Sequence, residues 1–533
     1  MLPRVVAVCP PAEYERRPRL LRALEEALPV RFEGRELGSY RDVAAAILFA
    51  PQTEAGLAGV PSFVALGRDS RDVGGTVDLS SSPLIHPGLR GRSLFDQGAG
   101  GIRGLSAHGD TVLASCAGEI VWTTGEVVDR AALPPDELGP NDSLRDALVP
   151  GRWLSLLPLV HFLRRVTSEV GWEPPPTRAT FIVDDPNLHW WSYGFVDFRR
   201  IADDAREQGY HLAVATVPLD AWLVHPGVAR VFRERRDQLS LLLHGNDHTR
   251  GELERPPTSE DATVVVAEAL RRIHVLERRA QLGVSRLMVA PHNRCSEQVM
   301  RAMLRTGFEG LCHAVSSPGS MGRPLAGWEP AELLAGGLPV FPRLLITSPR
   351  DDLVLRSFLG QPLIVYLHHE DLVDGVGALV ETAAFINREP GVRWGSAESL
   401  ARSSYLTRRE GRVLHVRLFA RSVELALDED VEHVVVELPG SHDEPDRELV
   451  TLTIEGSSSS SPLAASRSKP LAARGPGTAR ISLERSDAVD PRRVASPRLR
   501  VRPLVRRAVT ESRDRLLPVS ASIQSTLGRV LHR

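Results

Sequence analysis

The sequence predicts an α/β chain organised around an incomplete seven-stranded (β/α) barrel, with an open α/β domain before it and a small β module after it. Three observations carry this reading. Between residues 177 and 404, seven short apolar runs alternate with stretches of helical periodicity, the pattern of repeated β–α units. Four of those runs end on Asp, His or Pro residues, and barrels keep their chemistry at the carboxyl ends of strands. The flanks are patterned differently, and 533 residues are too many for one ordinary domain.

Residues 1–150 open with Val5-Val6-Ala7-Val8-Cys9, a buried-strand signal, and a helical stretch from Pro18 to Leu28. Further strand candidates are Ala46–Phe49, Ser62–Leu66, Val112–Ala114 and Ile120–Trp122. Together they suggest an open sheet, flavodoxin- or amidotransferase-like in outline. Gln97–Gly104 is rich in glycine but follows no clear strand, so a plain loop is preferred to a phosphate cradle. Residues 151–176 read as a helix, Trp153–Val170, and a linker through Glu173-Pro174-Pro175-Pro176.

The barrel, 177–404, has strand candidates at Thr180–Val183, Leu212–Thr216, Leu239–Leu243, Arg286–Val289, Leu311–Ala314, Val340–Ile346 and Leu363–Leu367. Helices are expected at Asp197–Gln208, Glu260–Gln281 and Ser296–Thr306. Residues 405–456 alternate or run apolar over strand lengths, a small all-β module. The Ser/Pro/Arg-rich segment 457–533 is expected to be a disordered basic tail.

The net charge of −2 hides an asymmetry: from Ser457 to Arg533, 16 Lys+Arg face 5 Asp+Glu. A tail of +11 could touch an anionic membrane surface or nucleic acid, but an unspecific solvated tail is the preferred reading. It has no aromatic residue to stack on bases, so no specific nucleic-acid partner is expected. The four cysteines are scattered without a C-x-x-C pair, which argues against disulfides and against a cysteine zinc site. No run approaches the length of a membrane span. The first residues hold too short an apolar core for a signal peptide, so a cytoplasmic location is expected.

The chemistry concentrates in two segments. Asp184 and Asp185 end the run Ala179–Val183, and His244 and His248 fall in Leu243-His244-Gly245-Asn246-Asp247-His248. One carboxylate and two imidazoles make a three-ligand site with an open position, the arrangement of a catalytic metal. The other carboxylate is then free to act as a base. On a helical turn, residues four apart share a face, so the two histidines would reach one ion. His368 ends a later strand.

These residues resemble the polysaccharide deacetylases (carbohydrate esterase family 4). Phe181-Ile182-Val183-Asp184-Asp185 is similar to the first motif of that family, which implies that Asp184 is the general base and Asp185 a metal ligand. His244-Gly245-Asn246-Asp247-His248 is similar to the second motif, which implies that His244 and His248 complete the metal triad. Ala290-Pro291-His292-Asn293 stands where Arg-x-Pro-Tyr is expected, and Ile364–His368 resembles the last motif, whose histidine is the general acid. The resemblance covers about residues 176–400. Two departures are plain: Val289 replaces the third-motif Arg that orients the base, with Arg294 a candidate substitute, and His292 stands in the Tyr place.

The resemblance implies a metal-dependent hydrolase removing an acyl group, N-acetyl above all, from a carbohydrate. The donor set suits Zn2+ first, with Co2+, Ni2+ or Mn2+ able to replace it. Pro291, His292 and Asn293 are expected at the substrate, and Trp190 and Trp191 offer faces that pack against sugar rings. His368 is preferred as the acid over His369, because neighbours on a strand face opposite ways. Two other classes stay open. One is a catalytically inactive barrel that binds carbohydrate or acts as a scaffold. The other is a glycosidase, disfavoured because Asp184 and Asp185 are adjacent and not opposed across a bond.

Overall fold

A computed structural model describes residues 3–49, 57, 59–67, 73–102, 104–107, 109–314, 327–440, 442–464, 466–473, 476–497 and 501–531. The chain divides into two compact units, Met1–Glu173 with Pro349–Leu359, and Pro174–Ser348 with Gly360–Arg533.

The first unit is built on one nine-stranded sheet. Val30–Gly34, Arg4–Cys9, Ala45–Phe49, Ser62–Ala65 and Val128–Ala131 lie side by side and parallel. Their cores read as continuous apolar runs because both faces are covered. The sheet then continues antiparallel through Glu119–Thr124, Thr111–Cys116, Val73–Leu79 and Ser93–Gly100. The open α/β expectation describes the parallel part; the antiparallel part is an addition that the short runs at 112–114 and 120–122 only hinted at. Most of the glycine-rich stretch extends this last strand, and Arg103 lies outside the described residues. The expected helix at 153–170 forms over Leu157–Val166, seven of whose residues are buried. A second helix, Arg350–Leu359, completes this unit although it is encoded between two barrel strands.

In the second unit seven strands are all parallel: β1 (Arg178–Asp184), β2 (Leu212–Thr216), β3 (Leu239–His244), β4 (Ser285–Val289), β5 (Gly310–Ala314), β6 (Leu338–Leu345) and β7 (Leu363–His368). The barrel was expected to be incomplete, yet it is closed: Phe181–Asp184 pairs with Leu212–Ala215. Seven strands suffice because β1 serves both edges, β7 on one side and β2 on the other.

The interior is one apolar cluster that takes alternate residues from each strand, among them Ile182, Ala215, Leu242, Val289, Cys312, Phe341 and Tyr366. Because side chains alternate, the same parity two residues further on carries Asp184, His244, Arg343 and His368 to the carboxyl mouth. The helices that wrap the barrel start on well-formed caps. Asp197 accepts from the amides of Arg199 and Arg200, and Ser296 from that of Val299.

The remainder corrects an expectation. The described residues from Ser457 on, expected to be disordered, form strands and a helix. Ser457–Ala464 pairs antiparallel with Glu448–Ile454, and Gly477–Arg485 pairs with both Glu448–Ile454 and Ser422–Leu427. The serine run, polar enough to read as solvated, satisfies its hydroxyls across the strands at Thr451–Ser460 and Thr453–Ser458, 2.9 Å each. Ala479, Ile481 and Leu483 alternate inward to a core shared with Val416, Leu418, Val434, Val450 and Leu452. The β module therefore runs from Tyr405 to Arg485. A long helix, Val501–Leu531, follows it.

A chain ended at Gly456 should fail to fold cooperatively, because Val450 and Leu452 lose the strands that bury them. A sharp thermal transition unchanged from that of the full chain would contradict this placement.

Candidate active site

The mouth of the barrel collects the polar strand ends. Asp184, the last residue of β1, is 2% exposed. Arg343 of β6, equally buried, donates from one guanidinium nitrogen to both carboxylate oxygens at 2.8 Å. A second nitrogen reaches Asn293 Oδ1 at 3.3 Å. The guanidinium carbon lies 4.0 Å from the centre of the Tyr366 ring, a cation–π contact. Arg294, expected as the partner of Asp184, points away and pairs with Glu254 at 2.9 Å. The sequence carried a signal for Arg343: it stands at an inward position, two residues after Phe341, in an otherwise apolar strand.

Asp185 leaves the strand with φ +85°. Its Oδ1 lies 3.1 Å from His248 Nε2 and 3.6 Å from His244 Nε2, and the two ring nitrogens are 3.2 Å apart. His244 Nδ1 donates to the Val289 carbonyl at 3.0 Å, which leaves its Nε2 lone pair facing Asp185. Burial, with His244 beside it, lowers the pKa of His248 to about 3. For Asp185, burial acts against the charge, but His244, His248 and Arg507 outweigh it and hold the carboxyl well below its ordinary value.

His244 and His248 converge without a helical turn between them. Gly245 turns at φ +65°, and a Cβ there would stand 1.9 Å from Glu252 Oε1 and 2.6 Å from Pro291. The Glu252 carboxylate accepts the amides of Asn246, Asp247 and His248 at 2.8–3.0 Å and so moulds the loop. Burial, then the neighbouring Asp247, pushes Glu252 well above the usual carboxyl range. Nothing in the spacing of the motif pointed to Glu252.

The donor set fits a divalent metal. Two nitrogens and an oxygen bound to one ion at about 2.0–2.2 Å in tetrahedral array stand roughly 3.3 Å apart, and the three separations here are 3.1, 3.2 and 3.6 Å. Asp185 Oδ1 is buried and accepts no hydrogen bond. Among the described residues one other group, His369, Glu370 and Asp514, has a similar spacing.

The other expected residues lie around this centre. His368 ends β7, paired in register with Asp184. Its amide donates to Asp371 Oδ2 at 2.8 Å, and its ring, about half exposed, lies within 4.0 Å of the same carboxylate. His369 takes the opposite direction and is buried against Tyr193 and Phe195. Pro291, His292 and Asn293 form a short turn in which His292 and Asn293 are both left-handed. The His292 ring lies 5.2 Å from that of His248. Trp190 and Trp191 are largely exposed, and Trp191 packs on His225 and Arg199.

The C-terminal helix crosses this region, which no sequence signal indicated. Arg507 donates to the Asp185 carbonyl and to Asp220 at 2.6 Å each. Arg506 donates to the His248 carbonyl. Glu511 holds His189 at 3.1 Å, and Asp514 accepts from the Tyr193 hydroxyl at 2.6 Å. Asp514 also lies 3.5 Å from His369. The charges of Asp220, Tyr193 and Asp185 raise Arg507 above its ordinary value against the cost of burial.

The chain matches no described protein family, and no curated protein matches it. Solved structures do. Agd3, described as a novel carbohydrate deacetylase, is 9% identical, with 76% of this chain and 89% of that one covered at a TM-score of 0.45. A putative polysaccharide deacetylase from Mycobacterium smegmatis is 16% identical over 44% and 93%, at 0.32. A family 4 carbohydrate esterase from Streptomyces lividans is 12% identical over 41% and 92%, at 0.27.

Arg343→Met should destabilise the protein by about 3–5 kcal/mol, since it strands a buried carboxylate. Adding Asp184→Asn should return part of that loss. Chemical denaturation of the parent, the single variants and the double variant measures it; additive effects would mean that the two side chains do not act as a pair.

Proposed function

We propose that this protein is a metal-dependent hydrolase that removes an acyl group, with N-acetyl the first candidate, from a carbohydrate. One observation carries the reading: a buried carboxylate locked by Arg343 stands next to a three-ligand N/N/O cluster at a barrel mouth. Asp185, His244 and His248 would hold the metal, with Zn2+ the natural match and Co2+, Ni2+ or Mn2+ able to replace it. Such an ion supplies Lewis acidity to a carbonyl oxygen.

The chain's own groups supply the rest. Asp184, positioned by the two hydrogen bonds from Arg343, takes the proton of the attacking water. His368, oriented by Asp371, gives a proton to the leaving nitrogen, so that water is added across the C–N bond and a carboxylate and an amine are released. The third-motif turn can offer one backbone amide to an oxyanion. The Asn293 amide is committed to the Ala290 carbonyl at 3.0 Å, which leaves the His292 amide for that task.

The alternative of an inactive carbohydrate-binding barrel rested on the missing third-motif Arg. Arg343 now occupies the place beside the base, which favours activity. An acetate-release assay on N-acetylated sugars and their oligomers tests this directly.

His244→Ala should cut the metal content of the purified protein sharply, because it removes one of three protein ligands. Asp184→Asn should keep the metal and lose about a hundredfold or more in turnover, as expected on removal of a general base. His368→Ala should depress turnover more than His369→Ala. Full metal occupancy in His244→Ala, or parent-like rates in Asp184→Asn, would refute the assignment.

A further inference from the structure

The C-terminal helix leaves apolar side chains in the open. Arg507 and Asp514 are buried against the protein and Glu511 is engaged by His189, whereas Arg502, Arg506 and Arg513 are exposed beside a row of apolar residues. Val501, Val505, Val509 and Leu516 are 65%, 57%, 65% and 65% exposed. Their spacing stacks them in one stripe, which a globular surface rarely leaves uncovered.

The charges beside the stripe are of one sign. Arg502, Arg506 and Arg513 are exposed, while the two acidic residues of the helix, Glu511 and Asp514, turn inward. At the start of the helix a cavity of about 540 Å³ is lined by Arg250, Arg255, Arg502 and Arg506, with Thr249, Asp247, Val501 and Pro503. Arg250, Arg255 and Arg502 have no carboxylate partner among the described residues. Two exposed indoles border the helix further along. Arg515 lies over Trp190, and His189, held by Glu511, packs on Trp222; the two indoles are 55% and 62% exposed.

We propose that the outer face of this helix, with the arginine-lined cavity at its start, docks on an anionic lipid surface. An apolar stripe flanked by arginines, with tryptophans at its border, suits the boundary between headgroups and acyl chains. The cavity suits the anionic headgroup. A second copy of the chain is disfavoured as the occupant, because both acidic residues of the helix are turned inward and pairing two such stripes would set arginine against arginine. Among the described residues no helix is long and apolar enough to cross a membrane, so the contact is peripheral. The proposal is independent of the hydrolase reading.

Co-sedimentation of the full-length protein with lipid vesicles tests it. The protein should pellet with phosphatidylcholine vesicles that contain phosphatidylglycerol, stay in solution with phosphatidylcholine alone, and be released by salt. Val505→Glu with Val509→Glu, and separately Arg502→Glu with Arg513→Glu, should each weaken vesicle binding about tenfold or more. Metal content and thermal unfolding, measured alongside, report whether these variants keep the fold. Three outcomes overturn the proposal. The parent does not bind anionic vesicles, although inorganic phosphate or glycerophosphate binds the cavity. The valine variant binds vesicles as the parent does, so that charge alone acts, as it would on any polyanion such as nucleic acid. Sedimentation velocity shows a dimer that the valine variant dissolves, so that the stripe belongs to a second copy.

Discussion

A carboxylate buried inside a barrel has to be neutralised, and the pair between Asp184 and Arg343 meets that demand. Both groups are almost fully removed from water, and neither would be tolerated there without the other. The guanidinium that holds Asp184 from β6 also lies against Tyr366 of β7 and touches Asn293 of the turn after β4. One side chain thus ties together four of the strand ends that form the mouth. The distance between Asp184 and the Asp185–His244–His248 cluster follows from this tie as much as from sequence adjacency.

The cluster itself rests on backbone chemistry. The Val289 carbonyl fixes the tautomer of His244, and Glu252 gathers three successive amides around His248. A cluster set in this way by hydrogen bonds within the protein is pre-organised, so little conformational freedom would remain to be lost on binding an ion.

The sequence disclosed the strands and the polar residues at their ends, because an apolar run that stops on a charge has few other meanings in a β/α repeat. All seven barrel strands begin and end within about two residues of the expected limits, and parity alone separates His368 from His369. What stayed hidden is what depends on partners far apart in the chain. Arg343 lies 159 residues from Asp184, whereas Arg294, beside the third-motif segment, is claimed by Glu254. The His244–His248 spacing suggested a helical turn, and the positive φ of Gly245 with the Glu252 clamp produced a loop instead. The segment after Ser457 misled through composition. Serines that look solvated form a strand when each hydroxyl finds a partner across the ladder, and Ala479, Ile481 and Leu483 show the strand period only once the run is read apart from its charged surroundings. The arginine-rich end was read as a uniform charge, while its helix turns Arg507, Glu511 and Asp514 inward and leaves its valines exposed.

One element of the fold bears on how the chain reaches its native state. The helix Arg350–Leu359 completes the first unit, yet it is encoded between β6 and β7 of the second. During synthesis the first 173 residues leave the ribosome without it and wait for nearly two hundred more before their own structure is whole. Domains made in one continuous stretch fold as they emerge; this one cannot finish until most of the barrel has been translated. The two units are therefore bound to a shared folding schedule, and the amino-terminal part spends its early life as an intermediate in need of protection from aggregation.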